Sequence, residues 1–116
     1  MDLNLVVLTG RVTCAPEHRV FESGGHLLRI LVAVKSDHPR RRLDIVPVVL
    51  WDPPSDLCDG GLPAGTPVWI TGSVQRRYWD GTEGRRSRLE VVAHHVLVCD
   101  DHEPHDLPTA VGSPHP

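Results

Sequence analysis

Five aromatic side chains, Phe21, Trp51, Trp69, Tyr78 and Trp79, and three arginine clusters stand out as groups able to hold a ligand. The clusters are Arg40, Arg41 and Arg42, then Arg76 and Arg77, then Arg85, Arg86 and Arg88. Aromatic faces accept stacked bases and guanidinium groups line a path for phosphates. Together they are what a protein needs to bind a single nucleic-acid strand without reading its sequence. Each feature also has a plainer use: a tryptophan can pack inside a small domain, and arginines at a hairpin tip can simply be solvated. Tyr78 and Trp79 are adjacent, so on a strand they point to opposite faces and only one can stack on a given surface. Trp69 lies between Val68 and Ile70 and is expected in the core or at a subunit contact. If the clusters neutralise about five phosphates, the log–log salt slope for single strands would be about −3.5.

The eight histidines and three cysteines offer less. His94 and His95 are strand neighbours and diverge, while His102 and His105 lie in a tail expected to be disordered. Cys14, Cys58 and Cys99 are far apart, odd in number and form no Cys-x-x-Cys pair, so they read as small apolar residues. No metal site is expected. Gly10 and Gly72 each sit alone among β-formers, the wrong context for a phosphate cradle, and no nucleophile–base constellation stands out. The expectation is a binding protein with no catalytic residues and no cofactor.

Net charge is −3, which on its face opposes nucleic-acid binding. Its distribution matters more. Residues 1–99 carry all 12 Lys and Arg against 11 acids, a body of +1; Asp100, Asp101, Glu103 and Asp106 give the tail −4. Binding would therefore depend on local clustering of the arginines and not on overall charge. The 116 residues suit one domain with little margin, to which oligomer formation would add buried area. No apolar run approaches the ~18 residues of a membrane span, and Met1–Asn4 shows no export signal. A cytoplasmic, nucleoid-associated location is expected.

The elements that must position these residues are strands. Residues 3–13 alternate, with Gly10 marking a bulge or bend. Glu22-Ser23-Gly24-Gly25 is a hairpin signal leading into a strand over 27–35. Residues 36–42 form a polar loop, and 43–51 a third strand that Pro47 assigns to an edge or bulged position. Residues 52–67 hold four Pro and three Gly, leaving room for one short helical turn near Pro54–Leu57. Residues 68–79 and 85–99 complete a hairpin around a five-residue loop over 80–84. Five short strands with Gly bends predict an all-β, five-stranded barrel over 1–99, followed by an acidic, His- and Pro-rich tail over 100–116 with too few apolar residues to order itself.

Asn4-x-Val6-x-Leu8-x-Gly10-Arg11-Val12-Thr13, with Pro16-Glu17 and Arg19, resembles the opening of the bacterial single-stranded DNA-binding protein family. Gly65-Thr66-Pro67-Val68-Trp69-Ile70-Thr71-Gly72, Gln75–Trp79 and Gly84–Ala93 continue the likeness in order. The resemblance implies an OB-fold (oligonucleotide/oligosaccharide-binding) barrel that protects single-stranded DNA in replication, recombination or repair. It places Trp51 and Trp79 at family aromatic positions facing the DNA, with Tyr78 as the fallback to Trp79 and Arg11 and Arg19 as secondary contacts. It also implies a homo-oligomer, commonly a tetramer, with a dimer as the alternative. Ile45 stands at a frequent aromatic position, and the loop over 36–42 lacks an aromatic. Binding is thus expected to be weaker and more salt-sensitive than in a typical relative. The last residues, Ala110–Pro116, do not match the family's Asp-Asp-Ile-Pro-Phe tip, so tail-mediated recruitment of other proteins is not expected. Two alternatives stay open: a primosomal replication-restart protein on the same barrel, or a protein-interaction barrel that has lost DNA binding.

Overall fold

The structure, a computed structural model, describes residues 1–99; the disorder expected of residues 100–116 lies outside the described residues. Six strands and one helical turn follow in order: β1 (Val6–Val12), β2 (Glu17–Val20), β3 (His26–Ser36), β4 (Arg42–Trp51), α1 (Ser55–Cys58), β5 (Pro67–Gly81) and β6 (Gly84–Val98). The sheet runs β1-β5-β6-β4-β3-β2, and pairing of β1 with β3 closes it. The closed barrel therefore has five strands, as expected, with the four-residue β2 appended to the β3 edge.

Gly10 is where closure happens. Strand β1 pairs with β5 from Val6 to Arg11 and with β3 at Arg11 and Val12, so it belongs to two neighbours at once. A Cβ on Gly10 would collide with the Ala33 carbonyl oxygen on β3. Only glycine lets the two backbones approach this closely. Asn4 anchors the other end of β1: its amide donates to the Val74 carbonyl and accepts from the Val74 N–H, both at 2.8 Å. That side chain acts as one more rung of the sheet.

Alternation along the strands fills the interior with Leu28, Ile30, Val32, Val48, Val68, Ile70 and Val91, all buried in one cluster with Leu57 and Leu62 from the segment between β4 and β5. Fully burying each such side chain contributes roughly 1.5–3 kcal/mol. The Pro-rich segment thus has a structural role, since its single helical turn carries Leu57 onto the core. Of the two places expected for Trp69, core or subunit contact, the core is not where it lies. Its neighbours Val68 and Ile70 point inward, and Trp69 lies half-buried on the outer surface opposite Thr9 and Leu97.

Pro47 sits as an edge residue although β4 is central in the sheet. β4 pairs with β3 throughout, but parallel β6 joins only at Val48 and Val49. On that side the strand is open before Val48, and a missing N–H costs nothing there. The three cysteines are free thiols, Cys14 exposed and Cys58 and Cys99 half-buried.

Candidate nucleic-acid interface

The β5–β6 hairpin runs well past the barrel. Its strands stay paired to Gly81↔Gly84, leaving a two-residue tip, Thr82-Glu83, in place of the expected five-residue loop. The pairing decides which arginines act together. Trp79 stands opposite Arg86 and Arg77 opposite Arg88, all on one face with Glu90; Tyr78, Arg76 and Arg85 are on the other. Arginines adjacent in sequence are thereby separated. On the first face the guanidinium carbons of Arg77 and Arg88 lie 5.3 and 6.0 Å from the Trp79 ring centre. On the second, Arg85 lies 4.6 Å from the Tyr78 ring centre, and Arg76 Nη1 donates to Ser87 Oγ at 3.1 Å. Arg86 pairs with Glu83 at 3.5 Å.

Trp51 shares the face of Trp79. It ends β4 opposite Leu27, on the outward side with Val49, and Val49 pairs with Val92 of β6. From Val92 the strand runs back on the same face through Glu90 and Arg88 to Arg86, which is opposite Trp79. The two tryptophans therefore occupy opposite ends of one surface. Trp51 is 51 % exposed and Trp79 38 %, so both rings are open to a base. Phe21, counted among the available aromatics but given no role from the sequence, stacks on Trp51 with ring centres 5.6 Å apart, and the Arg19 guanidinium lies 5.8 Å from the Phe21 centre. The turn places it: Phe21 N–H donates to the Gly25 carbonyl and Gly24 N–H to that of Phe21.

Between the tryptophans lies a cluster that the sequence reading missed. Arg29, on the outward side of β3 opposite Val49, has only 16 % of its side chain exposed. Its Nη1 is 3.8 Å from Glu17 Oε1. Burial, and next the neighbouring Arg77 charge, push Arg29 below the usual arginine range; Glu17 and Glu90 oppose this and Arg88 adds to it. Glu90, 6 % exposed, lies 3.5 Å from Arg77 Nε, an ion pair without hydrogen-bond geometry. Nothing local in the sequence marks Arg29 as a partner of residues some fifty positions later.

The loop between β3 and β4 carries Arg40 and Arg41, both exposed, and borders a cleft of about 510 Å³ lined by Lys35, Ser36, Asp37, Arg41, Arg42 and Leu43. Arg42 is committed to Asp44, donating to both carboxylate oxygens at 3.0 and 2.9 Å, and this contact raises its pKa. Arg11 Nη1 donates to the Gly65 carbonyl at 3.0 Å and so ties β1 to the segment before β5. Ile45, where the resemblance implies an aromatic, is a half-exposed apolar residue facing outward across from Ala33. Among the described residues, no group of three or more His, Cys, Asp or Glu is arranged to hold a metal ion.

Comparison with known proteins places this surface in context. The chain is 35% identical over 103 residues to a single-stranded DNA-binding protein of Caldanaerobacter subterraneus subsp. tengcongensis, covering 84% of this chain and 69% of that protein. It is 31% identical to single-stranded DNA-binding protein 3 of Listeria innocua, again over 84% of this chain and 64% of the relative. The chain thus spans about two-thirds of the length of these relatives. The solved Plasmodium falciparum SSB complex with ssDNA shares the fold, with a TM-score of 0.74 at 23% identity over 86% of this chain and 97% of that one. The family model "Single-strand binding protein family" matches residues 3–99, which include every strand, both end tryptophans and the whole hairpin. On that match the chain belongs to the single-strand binding protein family.

Proposed function

We propose that this chain binds single-stranded DNA with little sequence selectivity and performs no chemistry on it. One observation carries this reading: two half-exposed tryptophans at opposite ends of one face, with arginines between them. Bases stack on Trp51 and Trp79, each contributing about 1–3 kcal/mol, and phosphates run past Arg77, Arg86 and Arg88. Arg40 and Arg41 extend the path from the β3–β4 loop. Arg42 contributes less, because Asp44 already offsets its charge. Arg76 and Arg85, with Tyr78, serve a strand that wraps over the hairpin onto its second face. Arg11 contributes through the loop it holds. Family membership supports this reading, as does the binding named for its relatives. The binding domain is residues 1–99 and the acidic tail 100–116. Protection of exposed strands during replication, recombination or repair is the corresponding cellular role, in the cytoplasm at the nucleoid.

A homo-oligomer is part of the proposal. The outer surface of β1, β5 and β6 presents Val7 (55 % exposed) and Leu97 (60 %) beside half-buried Trp69. A second copy covering this strip would remove apolar area from water. Light scattering would give the assembly, a tetramer or a dimer.

Tryptophan fluorescence during titration with oligo-dT, at low and at moderate salt, tests the central reading. Saturating quenching with salt-weakened affinity is the expected result. No quenching and no mobility shift at low salt would leave a protein-interaction barrel instead. The near-neutral body of residues 1–99 is the observation that favours that second reading.

A further inference from the structure

The most unusual chemistry of the molecule is on the outward face of the sheet, where Arg29 of β3 and the β5–β6 hairpin flank β4. Arg29 Nε and Nη2, Arg77 Nε, Arg88 Nε and Glu90 Oε1 are all buried with no hydrogen-bond partner among the described residues. The strand register brings them to one region: Arg29 stands opposite Val49, Val49 opposite Val92, and Glu90, Arg88 and Arg77 follow on the same outward face of the hairpin. Glu90 pairs with Arg77 Nε at 3.5 Å and Glu17 reaches Arg29 only at 3.8 Å, two carboxylates beside three guanidiniums. Like charges packed this way repel, and every unmade buried hydrogen bond adds to the cost. Folded proteins tolerate such a group where something outside the chain completes it.

An anion would complete it. A phosphate-like group offers several acceptor oxygens to forked guanidinium donors and cancels the excess positive charge. Glu90 has the opposite sign for that role. It offsets part of the arginines' mutual repulsion through Arg77 and would compete with an incoming anion. Trp79, lying over Arg77 and Arg88, brings a stacking surface to the same place.

We propose that Arg29, Arg77 and Arg88, gathered around Glu90 and roofed by Trp79, form an inner seat for one backbone phosphodiester of the bound strand, next to the base stacked on Trp79. This rests on the single-strand reading above and adds a defined subsite, with Arg29 as its innermost donor. Contacts along the outer arginines would vary from one bound register to the next, whereas this one recurs in each.

The test is oligo-dT affinity as a function of salt for the full chain and for Arg29→Gln and Glu90→Gln, with thermal unfolding run on each variant. Arg29→Gln should bind about ten- to a hundredfold more weakly, the range expected for one charge-assisted hydrogen-bonded contact. Its salt slope should shrink by about 0.7, one phosphate's share. Glu90→Gln should bind about threefold or more tightly at low salt, with the gain fading as salt rises. A purely structural cluster predicts no opposition of sign between the two. If either variant fails to fold, Arg88→Gln takes its place, with weakening expected. Arginine Nε–H resonances, followed during titration with inorganic phosphate and separately with oligo-dT, identify the occupant. Shifts in the seat with oligo-dT support the proposal, and shifts with phosphate alone assign the seat to a small free anion and overturn it. Wild-type affinity and slope in Arg29→Gln would overturn the seat while leaving single-strand binding intact. Failure of the wild type to bind oligo-dT at low salt would instead remove the reading on which the seat depends.

Discussion

The two ends of the proposed strand path use the same residue in different ways. Trp51 closes a strand of the barrel itself, between buried Leu50 and the Leu27 that stands across from it, and its exposed ring leans on Phe21. Trp79 rides on the part of the hairpin that leaves the barrel, and what touches its ring is arginine. One ring is positioned by packing and the other by charge. Packing holds its geometry regardless of ionic strength, whereas cation–π contacts and the guanidinium cluster beneath them respond to it. A rigid apolar end and an electrically adjustable end on one surface would let the chain grip a strand firmly at one point and follow it at the other.

The largest effect that separates the ends is on stability. Leu50→Ala, beneath the Trp51 end, should destabilise the barrel by about 2–5 kcal/mol, and Leu89→Ala on the half-exposed hairpin by less than about 0.5 kcal/mol, measured by denaturant unfolding. Equal losses would mean that the hairpin is as much a part of the core as β4. Next comes binding. Trp51→Ala and Trp79→Ala should each cost about 1–3 kcal/mol in oligo-dT affinity. The Trp51 loss should be the same at low and moderate salt, and the Trp79 loss should change with salt because the ring and its arginines act together; parallel salt curves would erase the distinction. A smaller effect falls on Phe21→Ala, which should weaken binding by about 0.5–1.5 kcal/mol by releasing Trp51 from its stack, with the intrinsic Trp emission shifting even without DNA. The smallest is Asp44→Asn. It frees Arg42 from an exposed ion pair, so the unfolding midpoint should stay at the wild-type value while low-salt affinity rises slightly. A loss of affinity there would mean that the pair orders the β3–β4 loop for binding.

Much of this is legible in the chain alone. Period-two alternation with Gly and Pro punctuation marks the five barrel strands, the glycine hairpin and the single helical turn, because those signals are local. Gly10 is legible as a bend, and Tyr78 and Trp79 as residues of opposite faces. The same alternation applies to Arg76 and Arg77 and to Arg85 and Arg86, yet grouping them as clusters along the chain puts opposed faces together. The hairpin tip reads too long because Asp80-Gly81 looks like the turn; strand pairing continues through both residues to Gly84. Trp69 is drawn toward the core by its apolar neighbours, although those neighbours are the reason it faces out.

What the sequence determined by itself was the kind of surface available: few aromatics, grouped arginines, and strands short enough to close into a barrel. Those follow from composition and from the two-residue period of a strand, which each segment carries alone. Which arginines share a face with which tryptophan, and that Arg29 meets Arg77, Arg88 and Glu90, was decided only by the tertiary structure. Closure of β1 onto β3 and the lateral pairing of β4 with β6 bring together residues far apart in the chain. Their charges act strongly on one another only once that pairing has set them side by side and partly buried them.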